Sequence, residues 1–157
     1  MLQPTPADAF ELSITRVIPV ARATLYRCWT DPALIVKWFT PPPFTTVSAE
    51  MDVCPGGASL IVMRAPDGTD YPNRGQYLDV IPDRRLVFTD AYTGDWQPSA
   101  KPFMTGILTF DDEGEGTRYT AVVRHWTAAD RDAHVAMGFE TGWGIATDQL
   151  AALAATL

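Results

Sequence analysis

The sharpest candidates for chemistry in this chain are one imidazole and one carboxylate, His125 and Asp90. His125 closes the alternating run Thr117–Trp126. Arg118, Thr120 and Arg124 share its polar face, which turns Tyr119, Ala121, Val123 and His125 inward. Asp90 shares a face with Phe88, opposite Val87 and Thr89. A neutral imidazole at a strand end can orient a ligand hydroxyl, or act as a general base beside a carboxylate partner. The alternative for His125 is a rim histidine satisfied by a neighbouring hydrogen bond. His134 falls on the polar side of a helical pattern and is expected in solvent.

Other chemistries find less support. The chain has no H-E-x-x-H and no Cys/His cluster, so no metal site is expected. Ser59 and Ser99 lie in no G-x-S-x-G elbow. Cys28, beside Trp29 on a core-facing helix, reads as filler, and Cys54, before Pro55, has no basic neighbour to lower its pKa. Gly56-Gly57 leads into a strand and lacks a lysine, so it is a turn rather than a phosphate cradle, and no cofactor is expected. Arg16 continues the apolar face of Phe10, Leu12 and Ile14, which calls for an acidic partner, Asp79 or Asp90, or a ligand carboxylate.

The elements that must position these groups read clearly. Phe10–Ile18 alternates as a strand, and Ala21–Trp29 suits a short helix. Asp31 caps a second helix with Pro32 at its first position, running to about Phe39 before Pro41-Pro42-Pro43. Six strands follow: Val47–Val53, Ser59–Arg64, Tyr71–Val80, Leu86–Ala91, Phe103–Phe110 and Thr117–Trp126, joined by turns such as Pro66-Asp67-Gly68. From Thr127, a capping residue, Val135, Phe139, Trp143, Ala146, Leu150, Leu153 and Leu157 form one helical stripe. Gly138, Gly142 and Gly144 weaken that helix, and their use is close packing or a bend. The fold class is α+β, in the order β-α-α-β6-α, an antiparallel sheet around a long C-terminal helix.

Bulk composition narrows the partners. The chain is 46% apolar and 20% charged, enough for one domain over 10–157 after a polar lead-in at 1–9. A net charge of -7 disfavours nucleic acid and anionic membrane. No apolar run approaches the roughly 20 residues that span a bilayer. Two isolated cysteines and a start without a signal-peptide pattern make the cytoplasm the expected setting.

The order of Ile14-Thr15-Arg16, Trp29-Thr30-Asp31-Pro32, Trp38, Pro55-Gly56-Gly57, Asp67-Gly68, Gly75-Gln76-Tyr77 and Pro82-Asp83-Arg84-Arg85-Leu86 resembles the START-like (SRPBCC) superfamily. With Gly116-Thr117, His125, Met137-Gly138-Phe139 and Gly142-Trp143, it is most similar to the branch of the C-terminal domain of heat-shock-protein ATPase activators. The resemblance implies a helix-grip fold with a deep pocket between sheet and helix, and it places Ser59, Ile61 and Met63 inside. Members bind lipids, hormones or polyketides, and some are cyclases.

The expected pocket wall is Trp38, Phe44, Met51, Ile61, Met63, Tyr77, Phe88, Met104, Leu108, His125, Trp126, Phe139 and Trp143, with Asp90 and His125 as its polar points. The expected function is binding of a small hydrophobic, aromatic or lipid-like molecule. The alternatives are a cyclase- or hydrolase-type enzyme using His125 and Asp90, and a co-chaperone-like protein-binding domain. Met137 and Ile145 fall off the buried stripe and suggest a homodimer contact.

Overall fold

A computed structural model describes residues 10–157, and the lead-in at 1–9 lies outside the described residues. Seven strands form one antiparallel sheet: β1 (Glu11–Ile18), β2 (Thr45–Met51), β3 (Ala58–Arg64), β4 (Asp70–Ile81), β5 (Arg85–Thr89), β6 (Met104–Glu113) and β7 (Gly116–His125). Their spatial order is β1-β7-β6-β5-β4-β3-β2. Strands β2 to β7 run as a meander, while β1 crosses to pair with β7, Glu11 opposite Arg124 and Ile18 opposite Thr117. Register shifts in β2 (between Thr46 and Ser48) and β4 (between Tyr77 and Asp79) mark bulges, which bend and twist a sheet.

Helices α1 (Arg22–Thr30) and α2 (Pro32–Ile35) connect β1 to β2. Asp31 caps α2 as its sequence requires, Oδ1 accepting from Ala33 N at 2.9 Å. The second helix stops at Ile35 rather than running to Phe39. Lys37 and Trp38 instead donate to carbonyls three residues back, and this tighter winding carries Trp38 Nε1 to the Cys28 carbonyl at 3.0 Å. The C-terminal stripe is likewise two helices, α3 (Ala128–Ala136) and α4 (Phe139–Ala154). Gly138 separates them at φ 91°, a left-handed conformation that stops a helix and that glycine adopts without a Cβ clash.

The alternation read in the strands governs the interior. Tyr119, Ala121, Val123 and His125 are all buried along β7, as are Leu108 and Phe110 on β6. Leu150 and Ala154 of α4 join Leu25, Cys28 and Trp29 of α1 in the same buried cluster. The result is the α+β helix-grip architecture, with α4 laid along the sheet.

Arg16 finds its acid on α4, not at Asp79 or Asp90. Its Nη1 meets Asp148 Oδ1 at 3.1 Å, with side chains 40% and 74% exposed, while its Nη2 lies 3.3 Å from where a Cβ on Gly144 would stand. Asp79 pairs with Arg85 at 2.9 Å. Folding therefore faces no buried, unpaired guanidinium. The expected energetics differ accordingly. Leu150→Ala should cost about 2–5 kcal/mol in chemical denaturation, because it opens a void at a fully buried position. Asp148→Ala should cost under about 1 kcal/mol, the scale of an exposed ion pair.

Candidate functional site

A cavity of about 870 Å³ lies between the sheet and α4, and aromatic rings from several elements stand on its wall. Trp29 comes from α1, Trp38 and Phe39 from the turn after α2, Tyr77 from β4, Phe88 from β5, Tyr119 from β7, and Phe139 and Trp143 from α4. Trp29 is their hub. It meets Trp38 edge-on at 4.8 Å and Phe39 edge-on at 6.2 Å, and it stacks on Phe88 at 5.8 Å and 30°. Such offset and edge contacts add to area burial and fix ring planes. Phe88 lies flat because its partner across the ladder is Gly106, where a Cβ would run into its ring. Gln149 Nε2 donates to the carbonyls of Trp38 and Thr40 at 2.8 and 3.1 Å, locking the Trp38 turn to α4.

Eight of the expected wall residues stand on this cavity: Trp38, Ile61, Met63, Tyr77, Phe88, Met104, Phe139 and Trp143. Five do not. Phe44, after the proline run, is 37% exposed and leans on Tyr71 at a centroid distance of 6.0 Å. Met51 packs against the core from the sheet's edge strand, and Leu108 is fully buried within that core. Trp126 is 48% exposed and lines a separate surface depression with Thr105, Ile107 and Arg124, because it follows His125 and so takes the opposite parity. His125 is only 5% exposed, yet it belongs to that depression rather than to the cavity wall.

The pairing of His125 with Asp90 as acid and base is not assembled. Asp90 does line the cavity, but its Oδ1 accepts from Phe103 N at 2.8 Å and Met104 N at 3.0 Å, which fastens the start of β6. Both ring nitrogens of His125 are occupied, Nδ1 by the Phe10 carbonyl and Nε2 by His134 Nδ1, each at 2.8 Å. The imidazole on the cavity is His134, expected in solvent and found half-buried. A continuous C-terminal helix puts His134 on its polar side. The break at Gly138 re-aims α3, so that His134 packs edge-on against His125 at 5.1 Å and Phe139 at 5.0 Å. Phe103, the residue Asp90 fastens, covers both imidazoles at 5.4 and 5.3 Å.

Trp29, Phe39, Phe103 and Tyr119 add rings to the wall beyond the residues expected. Tyr119 sits on the inward face of β7 that alternation identified, whereas nothing in the local pattern separates Trp29 from ordinary helix core. Two polar atoms on wall residues, Trp29 Nε1 and Ser99 Oγ, are buried without a hydrogen-bond partner among the described residues. The Tyr119 hydroxyl lies near the Trp29 indole N–H, outside good hydrogen-bond geometry. Burial pushes the Tyr77 and Tyr119 hydroxyls well above the usual phenol range, so both remain neutral donors. It also raises the Cys28 thiol, as expected of core filler. Among the described residues no group of three or more metal-ligating side chains converges, and no helix is long and apolar enough to cross a membrane.

Burial, reinforced by neighbouring His125, pulls His134 down to about 4 from the ordinary 6.5. The unfolded chain thus takes up this proton near pH 6.5 and the folded chain only near pH 4. Stability contributed by neutral His134 is complete above pH 6.5 and is lost as pH falls through that window. His134→Phe, which keeps a ring between Phe103 and Phe139, should flatten this part of the pH–stability curve measured by denaturation.

No curated protein matches the chain. Among solved structures, it is similar to protein NE0264 from Nitrosomonas europaea, at 35% identity and a TM-score of 0.90, over 92% of this chain and 94% of that one. Protein Ms6760 from Mycobacterium smegmatis is similar at 27% identity and a TM-score of 0.79, over 94% and 91%. Protein CV1439 from Chromobacterium violaceum is similar at 25% identity and a TM-score of 0.75, over 91% and 96%. Residues 19–155 match the family described as activator of Hsp90 ATPase homolog 1-like protein. With that match spanning most of the chain, on a helix-grip fold, the protein belongs to the activator of Hsp90 ATPase homolog 1-like family of the START-like (SRPBCC) superfamily.

Proposed function

We propose that this protein binds one small apolar molecule, with an aromatic or lipid-like body, in the cavity between the sheet and α4. The observation that carries the reading is the wall itself: rings from five elements surround about 870 Å³, inside the range of small-molecule pockets. Rings held edge-to-face by one another present stiff surfaces, so a flat ligand inserts without reordering flexible side chains. Polar groups on the same wall serve to orient it. Acid–base catalysis by His125 and Asp90 loses its support, because both are engaged in holding the scaffold.

Gly142 offers a direct test. It lies inside α4 on the cavity wall, and a Cβ there would meet nothing within 4 Å. Gly142→Ala should therefore stabilise the protein by about 1 kcal/mol through helix propensity alone. Gly142→Leu should project its branched end into the cavity. Titration with N-phenyl-1-naphthylamine, a neutral dye that brightens in apolar surroundings, should saturate in the native protein and weaken at least about tenfold in Gly142→Leu, with thermal stability retained. Equal binding by both proteins would place the dye elsewhere and remove the cavity from the function.

A further inference from the structure

The two imidazoles form a chain whose proton positions follow from its fixed end. The Phe10 carbonyl can only accept, so the hydrogen bond it makes with His125 puts a proton on His125 Nδ1. A neutral His125 then presents a bare Nε2, and the 2.8 Å contact to His134 requires His134 Nδ1 to carry the proton between them. A neutral His134 with its proton on Nδ1 has a lone pair on Nε2. The backbone carbonyl at the buried end thus sets the polarity of the imidazole on the cavity, two side chains away.

Four other polar side chains on the wall are engaged within the protein, while Arg74 and Lys101, both exposed, and the Trp29 indole N–H bring donors rather than acceptors. Thr89 gives its hydroxyl to the Met104 carbonyl, and Thr147 gives its own to the Trp143 carbonyl. Asn73 donates to the carbonyls of Ile61 and Tyr71. Asp90 holds two backbone amides with Oδ1. No protein partner takes the His134 Nε2 lone pair among the described residues, and the ring is braced on its faces and edges by Phe103, Phe139 and His125. Resting on the cavity-binding reading above, we propose that the ligand is a hydroxylated aromatic, phenol-like molecule whose O–H donates to Nε2 of His134. His125 is the positioning residue: it holds the tautomer and touches no ligand. The same molecule without its O–H donor leaves the imidazole lone pair unmatched, which is how the site discriminates between compounds of equal shape.

The experiment compares 2-naphthol with 2-methoxynaphthalene, which share a ring system and differ in the donor. Each is titrated by tryptophan quenching, near neutral pH, against the native protein and His134→Phe. The ratio of the two affinities should favour 2-naphthol about fivefold more in the native protein than in the variant, the scale of one neutral hydrogen bond. 2-Methoxynaphthalene should bind both proteins alike. Nitrogen NMR of the native protein should find the His134 proton on Nδ1, with the bare Nε2 resonance moving on addition of 2-naphthol, a readout that stands even if the variant fails to fold. An unchanged affinity ratio, or a proton found on Nε2, overturns the assignment and leaves the cavity as a shape-selective container. Absence of binding by either compound to the native protein overturns the cavity reading and this inference together.

Discussion

Leu150 and Ala154 press the C-terminal half of α4 onto α1 and the sheet, and Gln149 ties the same half to the carbonyls of Trp38 and Thr40. The N-terminal half makes no such seal. There Phe139 is buried against His134 and Trp143, while Gly142 leaves an open volume and Trp143 and Ala146 are only partly buried. The cavity is the space left by this difference along one helix, and everything that lines it is positioned by that unequal grip. A helix packed evenly along its length would close the space, and a helix without the Leu150 contact would leave it without a floor.

That constraint explains why so many wall residues carry a second structural task. Trp29 belongs to the α1 core and supplies a ring face to the cavity, while Trp38 reaches it only because its turn is tied at Cys28 and at Gln149. Phe88 lies flat because Gly106 concedes the space a side chain would take. Asp90 fastens Phe103, and Phe103 covers the two histidines. The polar groups near the cavity thus support its walls before they act on any ligand. Pockets with this economy bind by shape and stacking, with orientation set by very few polar atoms.

Strand parity was the most legible property of the sequence. Period-2 alternation is local, so the β7 segment alone turns Tyr119, Ala121, Val123 and His125 inward, and single residues give the caps at Asp31 and Thr127. The same rule puts Trp126 outward, against its place in the expected pocket wall. Helix phase was legible only as far as the helix continued. Gly138, noted as a possible bend, takes a left-handed conformation, and that one residue moves His134 from the solvent face to the cavity. Cross-strand relations were not legible at all: no local pattern pairs Gly106 with Phe88, or brings Phe10 to His125 and Arg16 to Asp148.

The claim that rests on all of this is that a small apolar molecule enters between the sheet and α4. Methyl NMR on methionine-labelled protein addresses it directly, because Met63 and Met104 stand on the cavity, Met51 packs into the core away from it, and Met137 marks its rim. On titration with a neutral naphthalene derivative, the Met63 and Met104 methyl resonances should shift together and saturate at one equivalent, with Met51 unmoved. Shifts confined to Met137, or none that saturate, would show that the molecule stays on the surface and would contradict the account.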